Sequence, residues 1–431
     1  MRISIAGTGY VGLVTGVTFA SLGHEVVLVD VIPEKVDMVN KGKPPIYEKG
    51  MDDLLPKLVN EGKIRATVDM KEAVLNTDVT FIAVGTPSGD DGSIDLRYVE
   101  SATTDIGNAL KKKGSYHLIV VKSTVVPGTT EKFVLPVLER ASEKKAGAGF
   151  GVAMNPEFLR EGLALEDSMN PDRIVLGVLD DRGENILREL YSKIDAPVLI
   201  TTPTTAEMIK YTSNAFLATK ISFSNEIANI CDEMGIDVYD VMKGVGMDHR
   251  ISPYFLNAGA GFGGSCFPKD VKALISAARE RGYEPQLLEE VLEINERQPL
   301  RMIELAEKLV GNLEGKKVAV LGLAFKPDTD DIRESRAIPL VEALIENGSH
   351  VIGYDPEATG NFKEIFPDVE YTESAEEALE KADICMIQAD WDEFKSIDYD
   401  GFGLECIIDG RKTVDRDIKT PYVRIGAGME K

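Results

Sequence analysis

The chain has 431 residues, of which 43% are hydrophobic and 28% charged, and this composition predicts a soluble globular protein of about three units at roughly 150 residues each. Its net charge of -24 argues against a nucleic-acid surface, and the lack of a run of about 18 uncharged apolar residues argues against a membrane span. The four cysteines form no C-x-x-C pair and the four histidines no H-x-x-x-H pair, so we expect neither a disulfide framework nor a metal site.

The first predicted element is a strand over Arg2–Ala6, followed by the turn GTGYVG and a helical pattern, LVTGVTFASLG. Gly7, Gly9 and Gly12 of this turn allow a tight bend and a close approach to a pyrophosphate, which the start of the helix stabilises. The alternative is a glycine-rich turn that binds nothing. Because no charged-then-apolar leader precedes the strand, we expect a cytoplasmic protein.

A second strand, HEVVLVD, ends at Asp30, about 20 residues after the glycines. An acidic residue at this point accepts hydrogen bonds from the adenosine ribose and repels a 2′-phosphate, so the pattern favours NAD over NADP. Lys35 follows on the next turn and is placed to reach a ribose or phosphate oxygen.

Two further strands end in threonines. DVTFIAVGTP reaches Thr86 and YHLIVVKSTVVPGT reaches Thr124, so both hydroxyls are expected at the carboxyl ends of strands, where open α/β sheets bind ligands. Either threonine is alternatively a helix cap. Alternation of strands and helices to about residue 200 predicts a doubly wound sheet.

The segment FGVAMNPEFLREGLALED carries two carboxylates. If Pro156 begins a helical turn, Glu157 and Glu161 lie four residues apart on one face. Such a pair is suited to general acid/base chemistry, and the alternative is an exposed acidic face.

A long helical pattern without internal proline runs from about Thr205 to Met234, which corresponds to about 45 Å. Lys210 and Asn214 lie one turn apart on it among apolar residues. They are a candidate oxyanion clamp, or only a polar patch on a helix.

The stretch GFGGSCFPKD places a single cysteine, Cys266, just before a proline that suits the first turn of a helix. The helix N-terminus and the nearby Lys269 favour a thiolate at Cys266, and Asp270 follows in the same turn. The alternative is a small buried cysteine at an ordinary loop-to-helix junction.

A second Rossmann-like pattern begins at KKVAVLGLAFKPDTDD, and Asp355 ends its second strand as Asp30 does in the first unit. It lacks G-x-G-x-x-G, so we do not expect a second dinucleotide. Lys326, Arg333 and Arg411 fall near strand ends and are candidate contacts to a diphosphate, or simply surface charges.

The predicted fold class is therefore α/β, with two Rossmann-like doubly wound parallel-sheet domains joined by a long central helix. We expect an NAD-binding domain over 1–200, a central helical region with the cysteine loop over 201–300, and a second Rossmann-like domain over 301–431.

Seven stretches in order resemble one family along almost the whole chain, the nucleotide-sugar dehydrogenases of the UDP-glucose/GDP-mannose type. They are GTGYVG, VGTPS, KSTVVPGT, NPEFLREG, EMIKYTSNAFLATKISFSNE, GFGGSCFPKD and GLAFKPDTDDIRES. The resemblance implies NAD-dependent, four-electron oxidation of a sugar C6 alcohol to a carboxylate, through a thiohemiacetal and a thioester on Cys266.

The resemblance also implies that 201–300 is a dimerisation region and that 301–431 is a sugar-nucleotide-binding domain. It implies the remaining residue roles as well. The catalytic residues are Cys266, Lys210 and Asn214 for the nucleophile and the oxyanion, Asp270 and Thr124 for the hydrolytic water, and Glu161 and Glu157 for base chemistry. The NAD contacts are Gly7, Gly9, Tyr10, Val11, Gly12, Asp30, Lys35, Thr86, Thr124, Glu161, Lys269 and Arg333. The substrate contacts are Glu157, Phe158, Leu159, Arg160, Glu161, Lys210, Asn214, Arg250, Phe255, Leu256, Asn257, Ala258, Gly259, Phe262, Gly263, Lys326 and Arg411. Asn257 is a departure, because some relatives carry lysine there.

As partners we expect a UDP-sugar, no nucleic acid, no membrane, and a homodimer or higher homo-oligomer, since in the family the arginine matching Arg250 can come from a neighbouring subunit. UDP-glucose is the expected substrate, because NPEFLREG favours a sugar with a 2-hydroxyl group. GDP-mannose or a UDP-N-acetylhexosamine is the alternative substrate. A two-electron dehydrogenase and a non-catalytic NAD-binding regulatory protein are the alternatives of other classes.

Overall fold

Two parallel sheets organise the chain in the computed structural model, which describes residues 1–89, 91–414 and 418–428. The chain divides into two compact units, Met1–Thr212 and Ser213–Lys431.

The first unit is built on an eight-stranded sheet. Its strands are β1 (Arg2–Ala6), β2 (Glu25–Val29), β3 (Ile64–Thr67), β4 (Val79–Ile82), β5 (His117–Val121), β6 (Phe150–Met154), β7 (Ile174–Val178) and β8 (Val198–Thr201). Their order across the sheet is β3-β2-β1-β4-β5-β6-β7-β8. All neighbours are parallel except β6 and β7, which pair antiparallel.

Helices cover both faces of this sheet. They are α1 (Tyr10–Ser21), α2 (Pro33–Asn40), α3 (Met51–Asn60), α4 (Met70–Asn76), α5 (Arg97–Leu110), α6 (Leu135–Ser142), preceded by a π-helical turn at Thr130–Val134, α7 (Ala164–Met169) and α8 (Asp181–Leu190). Strand β5 shows why both faces need cover. Leu118 and Val120 pack into one core, while Ile119 and Val121 pack into the other.

A single helix of 32 residues, α9 (Pro203–Met234), follows β8. At 1.5 Å per residue it is about 48 Å long. The division between the two units falls within this helix, between Thr212 and Ser213.

The second unit has a six-stranded parallel sheet with the order β11-β10-β9-β12-β13-β14. The strands are β9 (Lys317–Leu321), β10 (His350–Tyr354), β11 (Glu370–Tyr371), β12 (Ile384–Ile387), β13 (Cys406–Asp409) and β14 (Tyr422–Arg424). The helices are α10 (Val238–Gly246), α11 (Phe267–Arg279), α12 (Gln286–Arg297), α13 (Leu300–Val310), α14 (Ala337–Glu346), α15 (Thr359–Ile365), α16 (Ala375–Lys381) and α17 (Asp392–Ser396), with a short 3₁₀ turn at Tyr399–Gly401.

The predicted fold class is confirmed, and the long helix lies where the pattern placed it. Two details differ. Strands β4 and β5 end at Ile82 and Val121, so Thr86 and Thr124 lie in the loops beyond them. Both Lys122 and Ser123 donate their backbone N–H to the Ile82 carbonyl, which ends the regular ladder at that point.

The second difference is a correction. No helix forms over 155–160, so Glu157 and Glu161 do not share a helical face. The physical reason is a tertiary ion pair: Glu157 turns inward to the buried Lys210, and its carboxylate also accepts the backbone N–H of Leu159, which holds the segment in an irregular conformation. The division into 1–200, 201–300 and 301–431 stays a prediction.

Within the described part of the chain, none of the helices combines the length and the apolar character that crossing a bilayer requires.

Candidate active site

The glycine turn after β1 has the geometry of an anion cradle. Gly7 adopts φ +103° and donates its N–H to Val29 at 2.7 Å, and a Cβ on Gly12 would lie 2.0 Å from the Gly7 carbonyl oxygen. Gly9 caps α1 without any side-chain hydrogen bond, the first turn carries no acidic residue, and the space beside Gly9 is open. The N–H groups at the start of α1 are therefore presented to an incoming anion, and the turn fits a dinucleotide pyrophosphate.

Asp30 follows β2 and accepts hydrogen bonds from this glycine turn. One carboxylate oxygen accepts the N–H and the hydroxyl of Thr8 at 2.8 and 2.5 Å, and the other accepts the Ile32 N–H at 3.0 Å. Burial opposes ionisation of Asp30, but the hydrogen bonds from Thr8 and Ile32 and the charge of Lys35 outweigh it, so the pKa of Asp30 lies below its usual value. The carboxylate is thus held ionised beside the turn, as recognition of ribose hydroxyls requires.

Glu48 ties the first turn of α1 to the segment before α7, and sequence reasoning missed it. It is only 3% exposed, accepts the Tyr10 hydroxyl, and accepts the N–H groups of Gly162 and Ala164 at 2.9 and 2.7 Å. Burial, followed by the contact with Glu48, raises the pKa of Tyr10. The Tyr10 hydroxyl is therefore engaged in a hydrogen bond within the protein, which leaves the ring and backbone of Tyr10 for the predicted NAD contact.

A buried ion pair lies in the first unit. The Lys210 ammonium is 2.8 Å from the Glu157 carboxylate, and the two side chains are 4% and 7% exposed. Burial opposes ionisation of Glu157, but the charge of Lys210 outweighs it and holds the pKa of Glu157 below its usual value. Glu157 is therefore ionised at neutral pH in spite of its burial.

Phe158 and Arg160, two predicted substrate contacts that follow Glu157 in the sequence, have different surroundings. The Phe158 ring is flanked by cations, with the Arg173 guanidinium 4.0 Å and the Lys210 ammonium 5.5 Å from its centroid. Arg160 is exposed and bound to Asp167 at 2.6 Å. Leu159, Glu161, Thr86 and Thr124 are partly buried.

In the second unit, Cys266 is the N-cap residue of α11 and its side chain is exposed. Pro268 occupies the first turn, as the sequence predicted. The Cys266 carbonyl accepts the N–H of Asp270 at 2.8 Å, so the thiol stands at the positive end of a 13-residue helix. A thiolate is favoured at such a position.

Asp270 is 1% exposed, and both of its oxygens have partners. Asn214 donates its amide to one oxygen at 2.6 Å, and the Lys269 ammonium lies 2.6 Å from the other. The Lys269 ammonium, which the sequence analysis placed near the Cys266 thiolate, is thus bound to the Asp270 carboxylate. Two polar clusters are thus present, Lys210 with Glu157 in the first unit and Asp270 with Asn214 and Lys269 in the second. Helix α9 contributes Lys210 to the first cluster and Asn214 to the second.

Glycines shape the loop before Cys266 by letting other parts of the second unit approach. A Cβ on Gly263 would lie 2.2 Å from the Glu334 carbonyl oxygen, and a Cβ on Gly264 would lie 2.7 Å from the Phe325 ring. Fully buried Asn295 exchanges two hydrogen bonds with the Phe262 backbone, at 2.7 and 2.9 Å. Sequence reasoning missed Asn295, which fixes the cysteine loop.

The predicted substrate loop, 250–263, is anchored at one end and exposed at the other. Gly259 donates its N–H to Asn225 at 2.8 Å, and Ala260 donates to the Gly410 carbonyl at 2.9 Å. Tyr239 donates its hydroxyl to the Ala258 carbonyl at 3.2 Å. Leu256, Ala258 and Phe262 are buried, whereas Arg250, Phe255 and Asn257 are exposed.

The candidate phosphate contacts differ in environment. The Arg411 side chain packs along Gly259 and donates its Nε–H to the Gln388 carbonyl at 2.8 Å, and burial lowers the pKa of Arg411. The Arg333 guanidinium donates to both carboxylate oxygens of Asp331, and the Lys326 ammonium lies 5.7 Å from the Phe325 centroid. Arg411 is thus a partly buried cation, held by the Gln388 carbonyl at the carboxyl end of β13, where an open sheet binds its ligand.

Asp355 occupies the position in the second unit that Asp30 has in the first, but its carboxylate is saturated. It accepts five donors: the N–H groups of Leu323, Ala324, Glu357 and Ala358, and the Trp391 indole. No lone pair of this buried carboxylate is left over for ribose hydroxyls.

Three family models match the chain in order. They describe the NAD binding domain, the central domain and the UDP binding domain of the UDP-glucose/GDP-mannose dehydrogenase family, and they match residues 1–195, 204–297 and 319–416.

Individual relatives agree. The UDP-glucose 6-dehydrogenase of Haloferax volcanii is 49% identical over 423 residues, which cover 96% of this chain and 98% of the relative. The GDP-mannose 6-dehydrogenase of Pseudomonas syringae is 45% identical over 357 residues, which cover 82% and 81%. A solved UDP-glucose dehydrogenase from Pyrobaculum islandicum is 43% identical, with a TM-score of 0.92 over 99% of this chain and 98% of that one.

Proposed function

Because the chain belongs to the UDP-glucose/GDP-mannose dehydrogenase family, we propose that it oxidises UDP-glucose to UDP-glucuronate with NAD. Relatives named as UDP-glucose 6-dehydrogenases match 92 to 96% of the chain at 41 to 49% identity, which supports the substrate. The observation that carries the chemistry is the exposed thiol of Cys266 at the N-terminus of α11.

The four-electron oxidation proceeds through the Cys266 sulfur. The C6 alcohol loses a hydride and a proton and becomes an aldehyde, to which the thiol adds, forming a C–S bond. The thiohemiacetal loses a second hydride and proton and becomes a thioester. Water then breaks the C–S bond, releasing the carboxylic acid and regenerating the thiol. NAD, when bound at the glycine turn, supplies the hydride acceptor, one molecule for each oxidation.

The two polar clusters support this scheme. Lys210 and Asn214 are polar, buried and held by carboxylates, so they are preorganised to stabilise an oxyanion. We assign the hydrolytic water to Asp270 and Thr124. Glu161 remains our candidate base, whereas Glu157 is committed to Lys210 and serves that lysine rather than accepting a proton.

The decisive experiment counts NADH per sugar. We expect two NADH for each UDP-glucose consumed, and mass spectrometry of the protein trapped in turnover should localise an acyl adduct to Cys266. The Cys266→Ser variant should release no acid, because an ester replaces the readily hydrolysed thioester, whereas Cys231→Ser, which changes a buried cysteine on α9, should keep turnover. One NADH per sugar in the wild type would contradict the scheme.

GDP-mannose is the second candidate substrate, because GDP-mannose 6-dehydrogenases match 82% of the chain at 44 to 45% identity. A panel of UDP-glucose, GDP-mannose and UDP-N-acetylmannosamine at equal concentration separates the substrates. NADH formation with GDP-mannose alone would overturn the substrate assignment, and NAD binding without turnover on any sugar would indicate a non-catalytic protein.

We propose in addition that the protein is a cytoplasmic homodimer or larger homo-oligomer. Phe216, Phe223 and Ile230 follow each other at seven-residue spacing on α9 and are 62%, 52% and 44% exposed, so they form one apolar stripe. Apolar stripes of this kind mark protein–protein surfaces. Analytical ultracentrifugation should find at least a dimer, which Phe223→Glu should dissociate. A monomeric wild type would refute the proposal.

A further inference from the structure

Arg336 is a buried arginine of the second unit to which the scheme above gives no role. It is the N-cap residue of α14, and its side chain is only 3% exposed. Its Nε donates to the backbone carbonyl of Glu334 at 3.1 Å, and its Nη2 donates to the carboxylate of the same residue at 3.2 Å. Its Nη1 lies 3.1 Å from the carboxylate of Glu296, on α12. One guanidinium therefore joins two segments of the second unit.

The same side chain lies beside the loop that leads to Cys266. A Cβ on Gly261 would lie 3.2 Å from Cδ of Arg336, so the arginine stem borders the Gly261 backbone. The Glu334 carbonyl that Arg336 binds also faces Gly263, where a Cβ would come within 2.2 Å of the carbonyl oxygen. Arg336 thus borders the loop directly at one glycine and through Glu334 at another.

Glu334 has a strained backbone at this contact. Its φ is +52°, in the left-handed region that residues other than glycine rarely adopt. Such conformations persist where the surrounding structure imposes them, and they are concentrated at active sites. One Glu334 oxygen accepts from Arg336, and the other lies 2.9 Å from the ammonium of Lys272, on α11. Because Cys266 is the N-cap residue of α11, Glu334 is bound to the helix that carries the thiol.

Stability does not account for an arginine at this position. Glu334 and Glu296, its carboxylate partners, are 38% and 49% exposed, so water would solvate both if the guanidinium were absent. Arg301 of the same unit shows the structural alternative. It is 12% exposed and lies 3.7 Å from Asp232, whose side chain is 1% exposed. Removing Arg301 takes a counterion from a buried carboxylate, which is costly, whereas removing Arg336 does not.

We propose that Arg336 is a positioning residue for the oxidation, which fixes the loop 261–264 and thereby the place of the Cys266 sulfur. It acts by holding Glu334 in the left-handed conformation, with the Glu334 carbonyl against Gly263. A displacement of about 1 Å in a reacting group lowers the rate by up to about 10²-fold. This inference rests on the proposed function, because it takes Cys266 as the nucleophile.

The first test measures kcat with UDP-glucose in Arg336→Met, Arg336→Lys and the matched control Arg301→Met, in the full chain. We expect Arg336→Met to lower kcat about tenfold or more and to keep most of its stability in urea. Arg336→Lys should recover part of kcat, because lysine keeps the stem and the charge but donates from a single nitrogen. Arg301→Met should lose stability and keep kcat.

Alkylation of Cys266 by iodoacetamide separates positioning of the thiol from activation of the thiol. The other three cysteines are buried, so labelling reports on Cys266. The helix N-terminus favours the thiolate, so the pH dependence of the alkylation rate should be the same in Arg336→Met as in the wild type. A pH dependence displaced in Arg336→Met would show that Arg336 tunes the thiol instead, and would overturn the proposal.

Hydrogen exchange gives a readout that does not depend on turnover. Gly264 donates its N–H to the Arg333 carbonyl at 2.9 Å, and Phe262 donates its N–H to Asn295 at 2.7 Å, so the loop has protected amides. Exchange of the peptide over 261–266, measured by mass spectrometry, should quicken in Arg336→Met but not in Arg301→Met. Unchanged exchange in Arg336→Met would overturn the proposal.

A double variant tests the link through Glu334. Glycine adopts the left-handed conformation without strain, so less depends on Arg336 in a Glu334→Gly background. Arg336→Met should therefore lower kcat by a smaller factor in that background than in the wild type. The same factor in both backgrounds would overturn the link.

A wild-type kcat in Arg336→Met, or a loss of stability as large as that of Arg301→Met, would also overturn the proposal. Failure of the proposed function shows differently, as absence of wild-type turnover with any sugar nucleotide. In that case hydrogen exchange still decides whether Arg336 fixes the loop before Cys266.

Discussion

The buried pair of Glu157 and Lys210 allows a quantitative prediction, because its two halves have unequal surroundings. Loss of one partner from a buried ion pair costs about 3–5 kcal/mol of unfolding free energy. Glu157→Gln removes the carboxylate that attracts both buried ammonium groups, Lys210 and Lys122, so we expect a loss at the upper end of this range, about 5 kcal/mol. Lys210→Met leaves Glu157 beside the charge of Lys122, so we expect the lower end of the range, about 3 kcal/mol.

The two variants should also respond to pH in opposite directions. In Glu157→Gln, Lys122 loses the attraction of Glu157, so its pKa, which burial already lowers to about 8, falls further. The unfolded chain then binds more protons than the folded chain, and stability recovers as pH rises. In Lys210→Met the pKa of Glu157 is raised by burial with less compensation, so the folded chain binds the extra proton and stability recovers as pH falls.

Urea unfolding at pH 5.5, 7 and 9, followed by circular dichroism, measures both effects. The single tryptophan, Trp391, lies in the second unit, so its fluorescence follows that unit separately. Glu184→Gln is the matched control, because Glu184 pairs with Arg188 on an exposed helical face and its loss should cost only about 0.3–0.5 kcal/mol. A larger loss for Lys210→Met than for Glu157→Gln at pH 7, or pH slopes of the same sign, would refute the reasoning.

Two further predictions concern the loops that carry the site. Gly263→Ala would bring a Cβ to 2.2 Å from the Glu334 carbonyl oxygen, so we expect the cysteine loop to shift and kcat to fall at least tenfold. The control is Gly244→Ala, where the space is open and kcat should stay unchanged. Equal kinetics of the two variants would contradict this prediction. Thr8→Val removes one of the hydrogen bonds that hold the Asp30 carboxylate, so KM for NAD should rise several-fold while kcat changes little, and an unchanged KM in steady-state kinetics would show that the bond does not position Asp30.

Much of the architecture was predictable because its signals are local. The glycine turn, the alternation of strands and the proline at the start of α11 each lie within one short stretch of sequence, and the structure bears out the elements that they indicate. The long helix α9 was equally predictable, because the helical spacing of apolar residues continues through it without an internal proline.

The residues that sequence reasoning missed act across long separations. Glu48 bonds to the backbone at Gly162 and Ala164, and Asn295 bonds to the backbone at Phe262. A carboxylate or amide that satisfies distant N–H groups has no local signature, so such positions need the fold. The helical turn expected at Pro156 failed for the same reason, because a tertiary ion pair overrides a local preference.

The saturated carboxylate of Asp355 has a consequence for engineering. Both units have a parallel sheet with an aspartate after its second strand. In the second unit, however, four backbone N–H groups and one indole N–H already occupy the carboxylate of that aspartate. Grafting a glycine motif onto the loop after β9 would therefore create a cradle for phosphate with no anchor for adenosine. Anyone who wishes to convert this half into a second cofactor carrier must first release that aspartate, beginning with the indole of Trp391.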